Sequence, residues 1–224
     1  MTADTTPDPA PAAWALVVPV KPPARGKSRL VGTTDDQRRE LAEAFALDTV
    51  AAAARAEGVV GVLVVTDDFR LAAALREGGH EVVPDGVSED LNATLVQGAA
   101  EAVRRWPGSV PAALCADLPA LRADELAAVL AEAAEVVDRG GAAFVRDRVG
   151  SGTTLYAAPL ARFDPRFGVG SAERHADDGA TEVGVDAASV RADVDDVADL
   201  GVAMVLGLGA RTARASGRRA TPQG

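Results

Sequence analysis

The chain is predicted to be a single-domain α/β protein with one mostly parallel central sheet flanked by helices. Three observations lead there. Short apolar runs of strand length alternate with longer stretches of helical spacing through the first two-thirds of the sequence. A β, α, β, α order calls for crossover connections, which make neighbouring strands parallel and cover the sheet with helices. The chain has 224 residues, of which 48% are hydrophobic, enough for one sizeable core.

Each element has its own signal. "WALVVP", Trp14–Pro19, reads as a buried strand. A helix follows, with Thr34 as N-cap, Gln37 completing a capping box, and Gly58 as its end. Val59–Thr66 is a second buried strand, Asp68–Gly79 a short helix closed by glycine, and "EVVP" a third strand. Leu91–Trp106 is helical, Ser109–Ala116 is a fourth strand, and a helix follows "DLPAL" through about Asp138. Ala142–Asp147 is a fifth strand. The last third changes character. "RVGSGTTLYAAP" is a Gly-rich turn into a strand, and "FDPRFGVGSAERHADDGA" is a long loop with a short helix. "SVRADVDD" reads as a strand by its alternation, and "VADLGVAMVLGLG" as a closing helix. Residues 1–12 are expected to be a disordered tail, 13–207 the domain, and 208–224 an Arg-rich flexible tail.

Bulk properties exclude several classes. No apolar run approaches the roughly 18 residues of a membrane-spanning helix. The segment "MTADTTPDPAPAA" is acidic and Pro-rich, without the basic start and apolar stretch of a signal peptide. The single cysteine, Cys115, excludes an intramolecular disulfide and a Cys-rich metal site. A cytoplasmic location is the expectation. The net charge of −10 argues against a duplex-binding surface. Against that background Lys21, Arg25, Lys27 and Arg29 crowd onto a kinked loop directly after the first strand. A local basic loop on an acidic protein points to a small anionic ligand.

The other polar motifs fall at the same edge. Ligands of open parallel sheets bind beyond the carboxyl ends of the strands. The basic loop follows strand one, "DLP" follows strand four, and "DVDD" ends the last predicted strand. Asp117 is either a turn-and-cap residue or a strand-end carboxylate for Mg²⁺. Alternation puts Asp193 and Asp195 on one side, where two carboxylates repel unless a cation joins them. Asp193 is the favoured ligand. Asp195 is its partner, or else Asp195 or Asp196 caps the last helix. "GSGTTL" offers backbone N–H groups to an anion or is a plain turn. "FGVGS", just before a short helix, is the stronger anion candidate. His175, one turn inside that helix, reads first as a surface or packing residue. Lys21, Lys27 and Arg29 beside metal carboxylates suit a triphosphate. Neither a Walker pattern nor a G-x-G-x-x-G after the first strand is present.

Taken in order, "PVKPPARGKSRL", "LNATL", "CADLPAL", "DRVGSGTTLY", "FGVGSAERHADDGA" and "RADVDDVADL" resemble one family over nearly the whole chain. It is the phosphoenolpyruvate or 2-phospholactate guanylyltransferases of coenzyme F-420 biosynthesis. The resemblance implies a nucleotide-diphospho-sugar-transferase-like fold, a GTP donor and Mg²⁺ held by Asp117 and Asp193. It implies that Thr153, Gly168 and Ser171 hold the three-carbon phosphate, and that Lys21 is the lysine after the first strand. The expected product is enolpyruvyl-diphospho-guanosine, consumed by a separate transferase carrying the deazaflavin acceptor. The chain departs from the family pattern at Thr154, at Ala172 and at the last Asp of "DVDD". The alternatives are 2-phospholactate as acceptor, or a molybdopterin or sugar-phosphate nucleotidyltransferase. The latter normally carries a Gly-rich loop where this chain has its basic one.

Overall fold

A computed structural model describes residues 12–21, 34–86 and 90–217. Lys27 and Arg29 of the basic loop lie outside the described residues.

The elements run β1 (Trp14–Pro19), α1 (Asp35–Ala53), β2 (Val59–Val65), α2 (Phe69–Glu77), β3 (Glu81–Val83), α3 (Leu91–Arg105), β4 (Val110–Leu114), α4 (Ala123–Val137), β5 (Ala143–Arg146), β6 (Thr153–Ala157), α5 (Ser171–Asp177), β7 (Thr181–Glu182), α6 (Val197–Leu206) and α7 (Ala210–Ala215). The seven strands form one sheet in the order β3-β2-β1-β4-β6-β5-β7. β1 pairs parallel with β2 and β4, β2 with β3, and β5 with β7. Only β6 runs against its neighbours, β4 and β5. The sheet is therefore mostly parallel, as the alternation requires.

Strand periodicity splits β1 between two cores. Trp14, Leu16 and Val18 pack with α1, α2 and α4 on one face. Ala15 and Val17 pack with α3 on the other. α3 approaches closely because position 98 is glycine: a Cβ there would stand 2.6 Å from Val17 Cγ1. The predicted cap of α1 is present, with Thr34 accepting from Gln37 N at 3.2 Å and Gln37 Oε1 accepting from Thr34 N at 2.9 Å. α1 ends at Ala53, sooner than the glycine suggested.

Two expectations are corrected. The segment 189–196 is not a strand. Its alternation is real, with Val190, Ala192 and Val194 buried, but its backbone bonds go to loops. Val194 N donates to Asp117 O at 3.0 Å and Val190 N to Ala187 O at 3.1 Å. An extended segment can bury every second residue without joining a ladder. The strand in this region is β7, whose two residues are too few for a periodic signal. Residues 208–217 are also not a loose tail. Asp48 of α1 accepts from Thr212 N at 2.7 Å and from Arg211 N at 3.2 Å, supplying the cap that α7 lacks in its own sequence. Leu208 and Ala213 are buried against Leu41 and Phe45. Among the described residues no helix is long and apolar enough to cross a membrane.

Candidate active site

The strand order reverses between β1 and β4, and a crevice opens where it does. A cavity of about 220 Å³ lies beyond these two carboxyl ends. Lys21 from β1, Asp117 and Cys115 from beyond β4, Phe45 from α1, Leu95 from α3 and Phe167 line it. Because β6 is reversed, its first residue, Thr153, arrives at the same edge.

Asp117 is placed from both sides. The buried Thr49 hydroxyl on α1 accepts from Leu118 N at 3.0 Å and lies 3.1 Å from Ala116 O and 2.8 Å from Phe45 O. The Val194–Asp117 backbone bond brings the "DVDD" segment alongside, so the two carboxylate-bearing stretches meet as the sequence predicts. The cap of α6 is Asp196, which accepts from Ala198 N at 2.8 Å and Asp199 N at 3.0 Å. Those backbone donors hold its carboxyl below the usual range. The alternative of Asp195 as the cap is thereby removed.

The "GSGT" loop differs from its sequence reading. Its N–H groups already surround an anion, and that anion is Asp147. The Asp147 carboxylate accepts from Gly150 N, from Ser151 N at 2.9 Å and from Gly152 N at 2.8 Å. These donors hold the turn together. The hydroxyl of Thr153 is what the motif brings to the site.

Thr153 owes its direction to a register shift. It stands opposite Arg146 while Leu155 stands opposite Val145, so Thr154 is extra on β6. Such a shift turns a side chain that strict alternation would send to the other face. Thr153 Oγ1 thus lies 3.0 Å from His175 Nδ1.

The "FGVGS" loop is anchored similarly. Asn92, from the "LNATL" motif, accepts from Phe167 N at 2.8 Å and donates through Nδ2 to Phe167 O at 3.2 Å. Gly168 has a φ of +123°, a conformation that side chains rarely adopt. The first backbone donors of α5 are taken, Ser171 N by Gly168 O at 3.0 Å and Ala172 N by Ser151 O at 3.2 Å. The seven-residue α5 therefore does not present the open N-terminus expected of it. Ser171 is buried and Gly168 partly so, next to the Phe167 that lines the cavity.

His175 is a packing residue, as the simpler reading had it. It lies among Phe144, Tyr156 and Phe167, with ring centroids 5.6, 4.7 and 5.7 Å away. Burial first, and then the Arg174 charge, lower its pKa to about 4.

Sequence reasoning gave no role to Thr49, Asn92 or Asp147. Signals existed for two. A lone Thr on the Ala-rich buried face of α1 invites a hydrogen-bond partner. An Asp three residues before a Gly-x-Gly is a turn-forming carboxylate.

A mixed sheet with a crevice at its switch point, edged by carboxylates and a lysine, defines a protein of the nucleotidyltransferase fold class. Solved structures agree on that fold. A nucleotidyl transferase from Methanothermobacter thermautotroptrophicus superposes with a TM-score of 0.55 at 20% identity, covering 87% of this chain and 97% of that one. A 4-diphosphocytidyl-2C-methyl-D-erythritol synthase gives 0.55 at 13% identity, covering 87% and 99%. The family model described as guanylyl transferase CofC like matches residues 14–215, and the chain belongs to that family. A Streptomyces coelicolor protein named phosphoenolpyruvate guanylyltransferase is 50% identical over 208 residues, covering 92% of this chain and 96% of the relative. A Thermomonospora curvata protein of the same name is 47% identical over 207 residues, covering 92% and 89%.

Proposed function

We propose that this protein transfers the guanylyl group of GTP to phosphoenolpyruvate, releasing pyrophosphate and forming enolpyruvyl-diphospho-guanosine for coenzyme F-420 biosynthesis. The observation that carries this reading is the near full-length similarity to relatives bearing that enzyme's name. A separate transferase with a deazaflavin acceptor would consume the product. GTP as donor suits a cytoplasmic enzyme.

The chemistry asks little covalent work of the side chains. A phosphate oxygen of the acid attacks the α-phosphorus of GTP in line. One O–P bond forms, the bond from the α-phosphorus to the bridging oxygen breaks, and its electron pair leaves with pyrophosphate. The attacking phosphate is mostly dianionic at neutral pH, with a second pKa of about 6, so no base need take its proton. What remains is to hold two anions together and in line.

Lys21, exposed at the end of β1, is assigned to the phosphates, with Lys27 and Arg29 from the same loop. Thr153, Gly168 and Ser171 are assigned to the small acid. Asp117 and Asp193, with Asp195 as partner, suit Mg²⁺, which takes one or two carboxylates and completes its shell with phosphate and water oxygens. Among the described residues no three His, Cys, Asp or Glu side chains form a closed cage by themselves. Bound there, Mg²⁺ would neutralise charge on the transferring phosphates.

The test is a competition. Purified protein, GTP and Mg²⁺ are given equal amounts of phosphoenolpyruvate and 2-phospholactate, and the products are resolved by mass. The enolpyruvyl product should predominate. A predominant lactyl product would reverse the acceptor assignment alone. No guanylylated product, with the downstream transferase present to draw the reaction forward, would overturn both.

A further inference from the structure

His175 makes two hydrogen bonds, and they determine each other. Arg166 N–H points at Nε2 from 2.8 Å. A backbone N–H only donates, so Nε2 must carry its lone pair. Neutral imidazole then carries its proton on Nδ1, which lies 3.0 Å from Thr153 Oγ1. Thr153 accepts there, and the hydroxyl's own proton must go elsewhere. The aromatic surroundings of His175 offer the ring no competing acceptor: Phe144 and Tyr156 stack on it and Phe167 meets it edge-on.

We propose that His175 is a positioning residue, whose Nδ1–H donates to Thr153 Oγ1 and so obliges the Thr153 hydroxyl to donate outward, to an oxygen of the bound phospho-acid. The inference rests on the assignment of Thr153 to that acid. It gives the α5 histidine a part in acceptor binding without contact with the acceptor. A hydroxyl free to rotate can offer an anion either its lone pair or its proton. One already accepting from Nδ1–H is committed to the favourable choice. The link to Arg166 joins this commitment to the loop that carries Gly168, since Phe167 lies between them in the chain.

Two substitutions separate the two ring nitrogens. His175→Asn keeps a donor near the Nδ1 position and loses the Arg166 contact. His175→Gln keeps an acceptor near Nε2 and loses the donor to Thr153. His175→Gln should raise KM for phosphoenolpyruvate about tenfold, the scale of one hydrogen bond to a charged group. KM for GTP and kcat should hold, and His175→Asn should stay within about twofold of the parent. In a Thr153→Val background, His175→Gln should add nothing. Equal effects of Asn and Gln, or an undiminished effect of Gln in the Thr153→Val background, would make His175 merely structural and overturn the proposal. If Thr153→Val leaves KM for phosphoenolpyruvate unchanged, the assignment of Thr153 fails and the proposal falls with it. If Thr153→Val raises that KM but His175→Gln does not, the proposal alone fails. A direct measurement covers variants that do not fold. The chain has 2 histidines, so ¹⁵N NMR with His80→Gln as reference assigns the tautomer in the intact protein. A protonated Nδ1 and bare Nε2 are expected, and the opposite tautomer would overturn the proposal.

Discussion

The Thr49 hydroxyl accepts the backbone N–H of Leu118 at 3.0 Å and lies 3.1 Å from the carbonyl of Ala116, so α1 grips the chain on both sides of Asp117. A helix on one face of the sheet thereby positions a carboxylate at its edge. Thr49→Val preserves shape and removes the grip. It leaves Leu118 N–H without its partner, at a cost of about 1–3 kcal/mol. Urea unfolding should show that loss, and kcat should fall further than KM for GTP rises. Unchanged turnover in a destabilised protein would confine Thr49 to a structural role.

Asp117→Asn should abolish pyrophosphate release while leaving the unfolding midpoint near that of the parent. The residue is only partly buried and follows β4 rather than filling the core. Parental turnover in this variant, measured with saturating Mg²⁺, would remove Asp117 from the metal assignment.

Asp147→Ala should be more damaging to the fold than its place in a turn suggests. Three glycine-loop N–H groups lose their acceptor at once, and each buried donor left unsatisfied costs about 1–3 kcal/mol. The loss need not be additive, because the loop can relax toward water. Asp147→Asn keeps one carbonyl oxygen and should recover part of the stability. Thermal denaturation of the pair checks both statements.

His175 makes stability fall with acid in a defined window. Its pKa is about 4 in the folded protein, against an ordinary 6.5. Above about pH 6.5 the ring is neutral in both states and contributes nothing. Between about pH 6.5 and 4 the unfolded chain binds more protons, so stability falls as pH drops, by at most about 1.4 kcal/mol per pH unit. Urea unfolding at about pH 7 and about pH 5 should show a larger drop for the parent than for His175→Asn. Equal drops would mean that the buried ring is protonated as readily as a free one.

How much of this was legible in the sequence depends on whether a signal is local. β1, β2, the capping box of Thr34 and the glycine-closed α2 could be read because each is decided by a few adjacent residues. The meeting of Asp117 with the Asp193 segment followed from strand ends, which the fold class places together. The role of Asp147 was missed because a Gly-rich loop looks the same whether its anion is a ligand or its own carboxylate. The false strand at 189–196 had the right alternation. Alternation reports burial, and only a free neighbouring edge turns burial into a ladder. α7 was missed because its cap, Asp48, is supplied from far away in the sequence.

The reversed course of β6 has a consequence for the order of assembly. β5 and β6 are joined by the short turn that Asp147 closes, so their pairing is local and can form early. The pairing of β1 with β4 joins Trp14 to Val110 and must await synthesis of most of the intervening chain. The hairpin that carries Thr153 is thus a prefabricated unit, and the ligand edge is completed when that unit docks on β4. Slow steps in refolding should map to this docking seam, between Ala113 and Tyr156, rather than to the hairpin turn.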